Sequence, residues 1–177
     1  MPPITHHSSL ITAFVALGSN LGDPASQIRR AMRALAALRG TRLARQSSLY
    51  RNPPAGGLDQ PEFVNAVAQI ETALAARDLL ELLLEIERMH GRARDYANAP
   101  RTLDLDIVLY GEQVVREPGL AIPHPRMLDR PFVLVPLAEI APDAVVPGHG
   151  RVADLADKLD ASSLVKLEIQ ETADKHG

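Results

Sequence analysis

The sequence predicts an α+β chain whose strands and helices alternate as β-α-β-β-α-β. Three observations predict it. Two stretches carry apolar residues at helical spacing, four carry the alternation or continuous apolar run of strands, and Gly and Pro punctuate the joins between them.

"TAFVALGSN" (12–20) reads as the first strand, with Val15 and Leu17 on one face and Phe14 and Ala16 on the other. Being apolar on both faces, it belongs in the middle of its sheet. In "GSNLGDP", Asp23 is an N-cap and Pro24 suits the first helical position. The helix runs to about Arg39, with Ile28, Met32 and Leu35 on its inner face and Gly40 as its stop. "TRLARQSSLYRN" (41–52) is the second strand. "PPAGGLDQP" (53–61) is loop, because two Pro and two Gly within five residues leave no room for a ladder.

"EFVNAVAQIETAL" (62–74) is the third strand, with Phe63, Asn65, Val67 and Gln69 sharing a face. "DLLELLLEIERMHG" (78–91) is a helix with Leu79, Leu82, Leu83, Ile86 and His90 on one side and Gly91 as its stop. A second loop (92–100) leads to the fourth strand, 101–110. That order is the split βαβ, ferredoxin-like arrangement, an antiparallel sheet with both helices on one face. C-terminal additions follow: a short strand in "EQVVRE", a Pro-punctuated region at 120–142, and a helix from about Val152 to Leu159. One domain over 1–177 is expected, its core at about 12–160, with an N-terminal arm (1–11) and a flexible tail (168–177).

Composition excludes several functions. There is no Cys, hence no disulfide, thiolate metal site or Cys nucleophile. Of 19 basic residues only Lys158, Lys166 and Lys175 are lysines, so nothing before position 158 can form a P-loop or a Schiff base. A net charge of −3 argues against a general nucleic-acid binder, and three Phe and three Tyr are few for an RNA-reading sheet. No apolar run approaches the ~18 residues of a membrane span, and the N-terminus lacks a signal-peptide pattern, so a cytoplasmic location is expected. A monomer is expected, although no feature of the sequence fixes the oligomeric state.

The chemistry concentrates in "NAPRTLDLDIVLYG" (98–111). Asp is depleted in strands, yet Asp104 and Asp106 sit two apart and so project from one face, Cα atoms roughly 6–7 Å apart. Leu103, Leu105 and Ile107 face the core. Two such carboxylates repel and are tolerable with a cation between them or Arg neighbours to compensate. Mg²⁺ fits, being held by one or two carboxylates with waters and substrate phosphates completing its octahedron. Arg92, Arg94 and Arg101 bracket the pair, as a triphosphate clamp requires. A surface strand edge with Arg–Asp pairs is the competing reading.

Phe63 and Asn65 share a face beside the first loop, which suits a flat heteroaromatic ring that wants stacking and an amide at its edge. Phe132 is a candidate for the opposite side, although both Phe also suit a core. His124, held between two prolines, suits a phosphate contact or a structural hydrogen bond about equally. Gly18 and Gly22 open the first turn, which needs glycine in any case.

"ALGSNLGD", "LYRNPPAGGLDQPEFVNAV", "GRARDYANAPRTLDLDIVLYG" and "IPHPRMLDRPFVLVPLAEIAP", in that order over roughly residues 13–147, resemble the 6-hydroxymethyl-7,8-dihydropterin pyrophosphokinase family of folate biosynthesis. The resemblance implies transfer of the β,γ-pyrophosphoryl group of ATP to the pterin hydroxymethyl oxygen, releasing AMP. It implies two Mg²⁺ ions on Asp104 and Asp106, a catalytic pair in Arg92 and Arg101, and ATP contacts from Arg94, Ile107, His124 and Arg130. The pterin is implied between Phe63 and Phe132, read by Asn65 with help from Asn52, Pro53 and Ala55. The chain departs from the form best known to us at Leu84, Ala97, Asn98 and Pro125, and its 92–100 loop is one residue shorter.

Overall fold

The computed structural model describes residues 9–20, 22–52, 62–90 and 103–167. Its main sheet is antiparallel throughout. β1 (Ile11–Ser19) lies between β4 (Phe63–Thr72) and β5 (Asp104–Tyr110). β2 (Thr41–Gln46) and β3 (Tyr50–Asn52) both pair with the far side of β4, and β10 (Val165–Lys166) pairs with β3. The central place expected for the first strand is the observed one. Ala13, Val15 and Leu17 enter one core while Phe14 enters another.

α1 (Pro24–Ala36) begins as its sequence requires, with Asp23 Oδ1 accepting from Ser26 N at 3.3 Å. It ends before Arg39 because the last turn tightens: Leu38 N donates to Leu35 O at 3.2 Å before Gly40, at φ +62°, turns the chain. α2 (Ala76–Met89) is displaced two residues from expectation. His90 is its C-cap rather than part of the buried stripe, its Nδ1 lying 2.9 Å from Ile86 O. Ile28, Met32 and Leu35 of α1 and Leu79, Leu83 and Ile86 of α2 join the core that holds Val15, Leu17, Leu105 and Ile107. Both helices therefore cover one face of the sheet.

The second strand, expected as one piece, is broken at 47–49. Ser47 N donates to Val67 O and Val67 N to Ser47 Oγ, both at 2.9 Å, so a hydroxyl replaces a ladder carbonyl and the edge kinks. The Pro-punctuated region also differs from expectation. It contains β7 (Leu120–Ile122), paired with β6 (Val115–Glu117), then a 3₁₀ turn at Met127–Asp129 and a helix, α3 (Pro131–Ile140). Pro136 inside that helix costs about 3 kcal/mol. Burial of Val133, Leu134, Leu137 and Ile140 at about 1.5–3 kcal/mol each outweighs it. α3 lies on the second face of the sheet, against Phe14, Val67 and Val108. A two-residue hairpin, β8 (Val145–Val146) with β9 (Gly150–Arg151), and α4 (Val152–Asp157) complete that layer.

Glu139, the only charged residue of α3, ties this layer to the sheet edge. It accepts from Ser48 N at 3.0 Å, Ser48 Oγ at 2.7 Å and Tyr50 OH at 2.8 Å, with Lys166 Nζ of β10 at 3.9 Å. Burial alone pushes its carboxyl up, but the bonds from Ser48 and Tyr50 and the charge of Lys166 outweigh this and hold it below the usual value. The folded state thus binds this proton less tightly than the unfolded chain. The contribution is present above the ordinary value of 4.5 and is lost as pH falls through the folded pKa. Glu139→Ala is expected to lower unfolding stability at neutral pH by about 1–2 kcal/mol. In urea melts at successively lower pH, the gap between variant and parent should close.

Candidate active site

β1 positions the site by being bare. In the sheet register Asn65 of β4 lies opposite Gly18, and Gly18 lies opposite Asp104 of β5; one row along, Val67, Ala16 and Asp106 align in the same way. Residues directly opposite in a ladder share a face, so both aspartates and Asn65 stand on the α3 side, flanking two residues with almost no side chain. The result is a cavity of about 420 Å³ floored by Ala16 and Gly18. Asn52, Phe63 and Asn65 form one wall, Asp104 and Asp106 another, and the N-terminal end of α3, with Arg130 and Phe132, the third.

The wall geometry is specific. Asn65 is 7% exposed and donates from Nδ2 to Asn52 Oδ1 at 2.6 Å, which fixes its amide. A Cβ at position 18 would stand 2.8 Å from Asn65 Oδ1, so Gly18 makes room for that amide. The Arg130 guanidinium lies over the Phe132 ring, 5.5 Å from its centroid, an arrangement the sequence did not announce.

A second cavity, of about 350 Å³, lies on the other side of Asp106 and is lined also by Leu80, Ile107, Leu120 and His124. His124 is tied in place: its backbone N donates to Val108 O at 3.1 Å and its Nδ1 accepts from Arg126 N at 3.1 Å. Burial, with the charges of Arg130 and Arg126, outweighs the pull of Asp106 and holds the imidazole below its usual pKa. A neutral ring accepting at Nδ1 carries its hydrogen on Nε2.

Of the candidate residues, the first cavity gathers Asn52, Phe63, Asn65, Asp104, Asp106, Arg130 and Phe132, and the second gathers Asp106, Ile107 and His124. Pro53, Ala55, Arg92, Arg94 and Arg101 lie outside the described residues. Among the described residues no group of three or more His, Asp or Glu could hold a metal by itself. A two-carboxylate set fits a hard divalent ion whose other ligands are water and phosphate oxygens. Sequence reading missed Ala16, whose role is to be small, and Glu87, a buried acid of α2 whose Oε2 accepts from Leu105 N at 2.7 Å. Glu87 was not among the residues assigned to the inner stripe of this helix, and nothing local marks it as buried.

A family model described as 7,8-dihydro-6-hydroxymethylpterin-pyrophosphokinase matches residues 14–142. The chain is 45% identical over 158 residues to a 2-amino-4-hydroxy-6-hydroxymethyldihydropteridine pyrophosphokinase of Haemophilus influenzae, covering 89% of this chain and 99% of the relative. It is 50% identical over 142 residues to the protein of that name from Pseudomonas aeruginosa, covering 80% and 88%. A crystal structure of a Plasmodium falciparum HPPK-DHPS triple mutant with pteroate superposes with a TM-score of 0.73 at 12% identity, over 93% of this chain and 48% of that one. The latter is a likeness of fold. Among the described residues no helix is long and apolar enough to cross a membrane.

Proposed function

The chain belongs to the 7,8-dihydro-6-hydroxymethylpterin-pyrophosphokinase family, and from that premise we propose that it transfers pyrophosphate from ATP to the hydroxymethyl group of 6-hydroxymethyl-7,8-dihydropterin, releasing AMP. One observation carries the assignment of parts: Asp106 lines both cavities, with Asp104 beside it. A transfer between two bound substrates needs its charge-bearing group at their boundary. In this reading Asp106 stands there.

In this reading the flat pterin occupies the larger cavity, stacked by Phe63 and Phe132, with the fixed amide of Asn65 reading its edge and Asn52 holding that amide. Pro53 and Ala55 add backbone contacts. ATP occupies the smaller cavity, against Ile107 and His124, whose neutral ring offers a hydrogen-bond donor without adding charge. Asp104 and Asp106 would hold two Mg²⁺ ions; when bound, these offset phosphate charge and activate the attacking hydroxyl. The hydroxymethyl oxygen attacks the β-phosphorus and the bond to the α-phosphate oxygen breaks, that oxygen leaving with AMP. Arg92 and Arg101 stabilise charge moving toward it, and Arg94 and Arg130 hold the triphosphate. The strand order, with β1 between β4 and β5, supports the ferredoxin-like assignment. A single-domain, cytoplasmic monomer is part of the same reading, in keeping with an ordinary composition and no cysteine.

The test is direct. With ATP, Mg²⁺ and the hydroxymethyl-dihydropterin, ³¹P NMR should show AMP and a pterin diphosphate appearing together. Formation of ADP, or no turnover, would sink the proposal. Gly18→Ala, by pushing Asn65 off its bond to Asn52, is expected to raise the KM for the pterin about 5- to 10-fold. The KM for ATP should stay unchanged in the same steady-state assay.

A further inference from the structure

β5 is the last strand of its sheet, so one side of it has no neighbouring strand among those described. Outward amides on such an edge normally turn to water. Leu105 has no such recourse: it is 3% exposed and packs with Leu83 and Ile86 of α2 in the main core. Its amide is met by Glu87 Oε2 at 2.7 Å. Glu87 is itself 4% exposed, whereas Glu85 on the same helix is 54% exposed. A helix has thus buried a carboxylate to do the work of an absent strand, at one particular peptide. That peptide joins Asp104 to Leu105, and Asp106 follows immediately.

We propose that Glu87 is a positioning residue for the acidic pair. By gripping the Leu105 amide from the core side, it fixes the plane of the peptide between the two aspartates. It thereby sets the spacing and aim with which their carboxylates, on the opposite face, hold divalent ions. A rotation of that Asp104–Leu105 peptide changes the backbone torsions at Asp104 and Leu105, and with them the aim of the Asp104 carboxylate relative to that of Asp106. Glu87 touches neither substrate nor ion in this account. The inference rests on the reading that Asp104 and Asp106 are the metal ligands.

Reach and charge are separable by two variants. Glu87→Asp keeps the charge but withdraws the oxygen by one methylene; Glu87→Gln keeps an oxygen at full reach and removes the charge. Mn²⁺ binding, followed by electron paramagnetic resonance with α,β-methylene ATP present, is expected to weaken about 10- to 100-fold in Glu87→Asp, the loss typical of removing a ligand's supporting partner. Binding in Glu87→Gln should stay close to the parent. Exchange of the Leu105 amide with solvent deuterium should accelerate in the first variant and stay slow in the second, and the KM for the pterin should move in neither. Parent-like Mn²⁺ binding by Glu87→Asp overturns the proposal. So does the reverse pattern, with Glu87→Gln the weak one, because charge rather than reach would then matter. Should Glu87→Asp fail to fold, Leu105 exchange decides: slow in parent and Glu87→Gln supports the role, fast in either overturns it. Asp104→Asn and Asp106→Asn run alongside distinguish the failures, since unchanged Mn²⁺ binding there removes the metal reading itself.

Discussion

Asp104→Asn and Asp106→Asn are each expected to lower turnover by about 10³-fold or more, because the ions we propose they hold would supply several kcal/mol of transition-state stabilisation. Stability should change little. The two carboxylates project from one face of β5, opposite Leu105 and Ile107, so amide substitution leaves the core packing in place. Unfolding temperature should therefore hold as activity collapses. That combination separates a functional acid pair from a structural one. A surface ion-pair role predicts the reverse, with activity kept and stability slightly reduced. Steady-state assays at several Mg²⁺ concentrations, beside thermal melts of the same samples, read both quantities.

Asn65→Ala is expected to reduce kcat/KM for the pterin by about 10²-fold, since a site built to hydrogen-bond its substrate loses most when a buried polar partner is left unpaired. Asn65 is 7% exposed and fixed by Asn52, so its amide needs no reorganisation when a ring arrives. Removing it strips the edge contact and leaves Asn52 without the Nδ2 donor. The KM for ATP should stay near the parent value, because Asn65 lines only the larger of the two cavities. Equal losses for both substrates would show that the amide supports the fold rather than the ring.

The aspartate pair and the Phe63–Asn65 face were legible because a strand alternates strictly: two residues apart means one face, whatever the neighbours. The first strand's central place was legible for a similar reason, since apolar residues on both of its faces leave no side for water. α3 was not legible. Its residues are apolar nearly all round and broken by Pro136, so they show no helical period, and the sheet face that compensates them is built from Phe14, Val67 and Val108, far away in the chain. Nothing local marks Glu139 as the tie between two layers, and the break at Ser47 lay inside what reads as one continuous strand, for the same lack of local signal.

The sequence by itself determined the alternation of strands and helices up to β5, the shared face of the two acids on that strand, and the shared face of Phe63 and Asn65 on β4, all of which follow from periods of two or 3.6 residues. Only the tertiary structure decided that Ala16 and Gly18 floor a cavity, that Asp106 borders two of them, and that Glu87 holds the peptide between the aspartates. Each of these depends on which strands and helices become neighbours. Burial is a property of the assembled layers, and a residue's near neighbours in the chain do not record it.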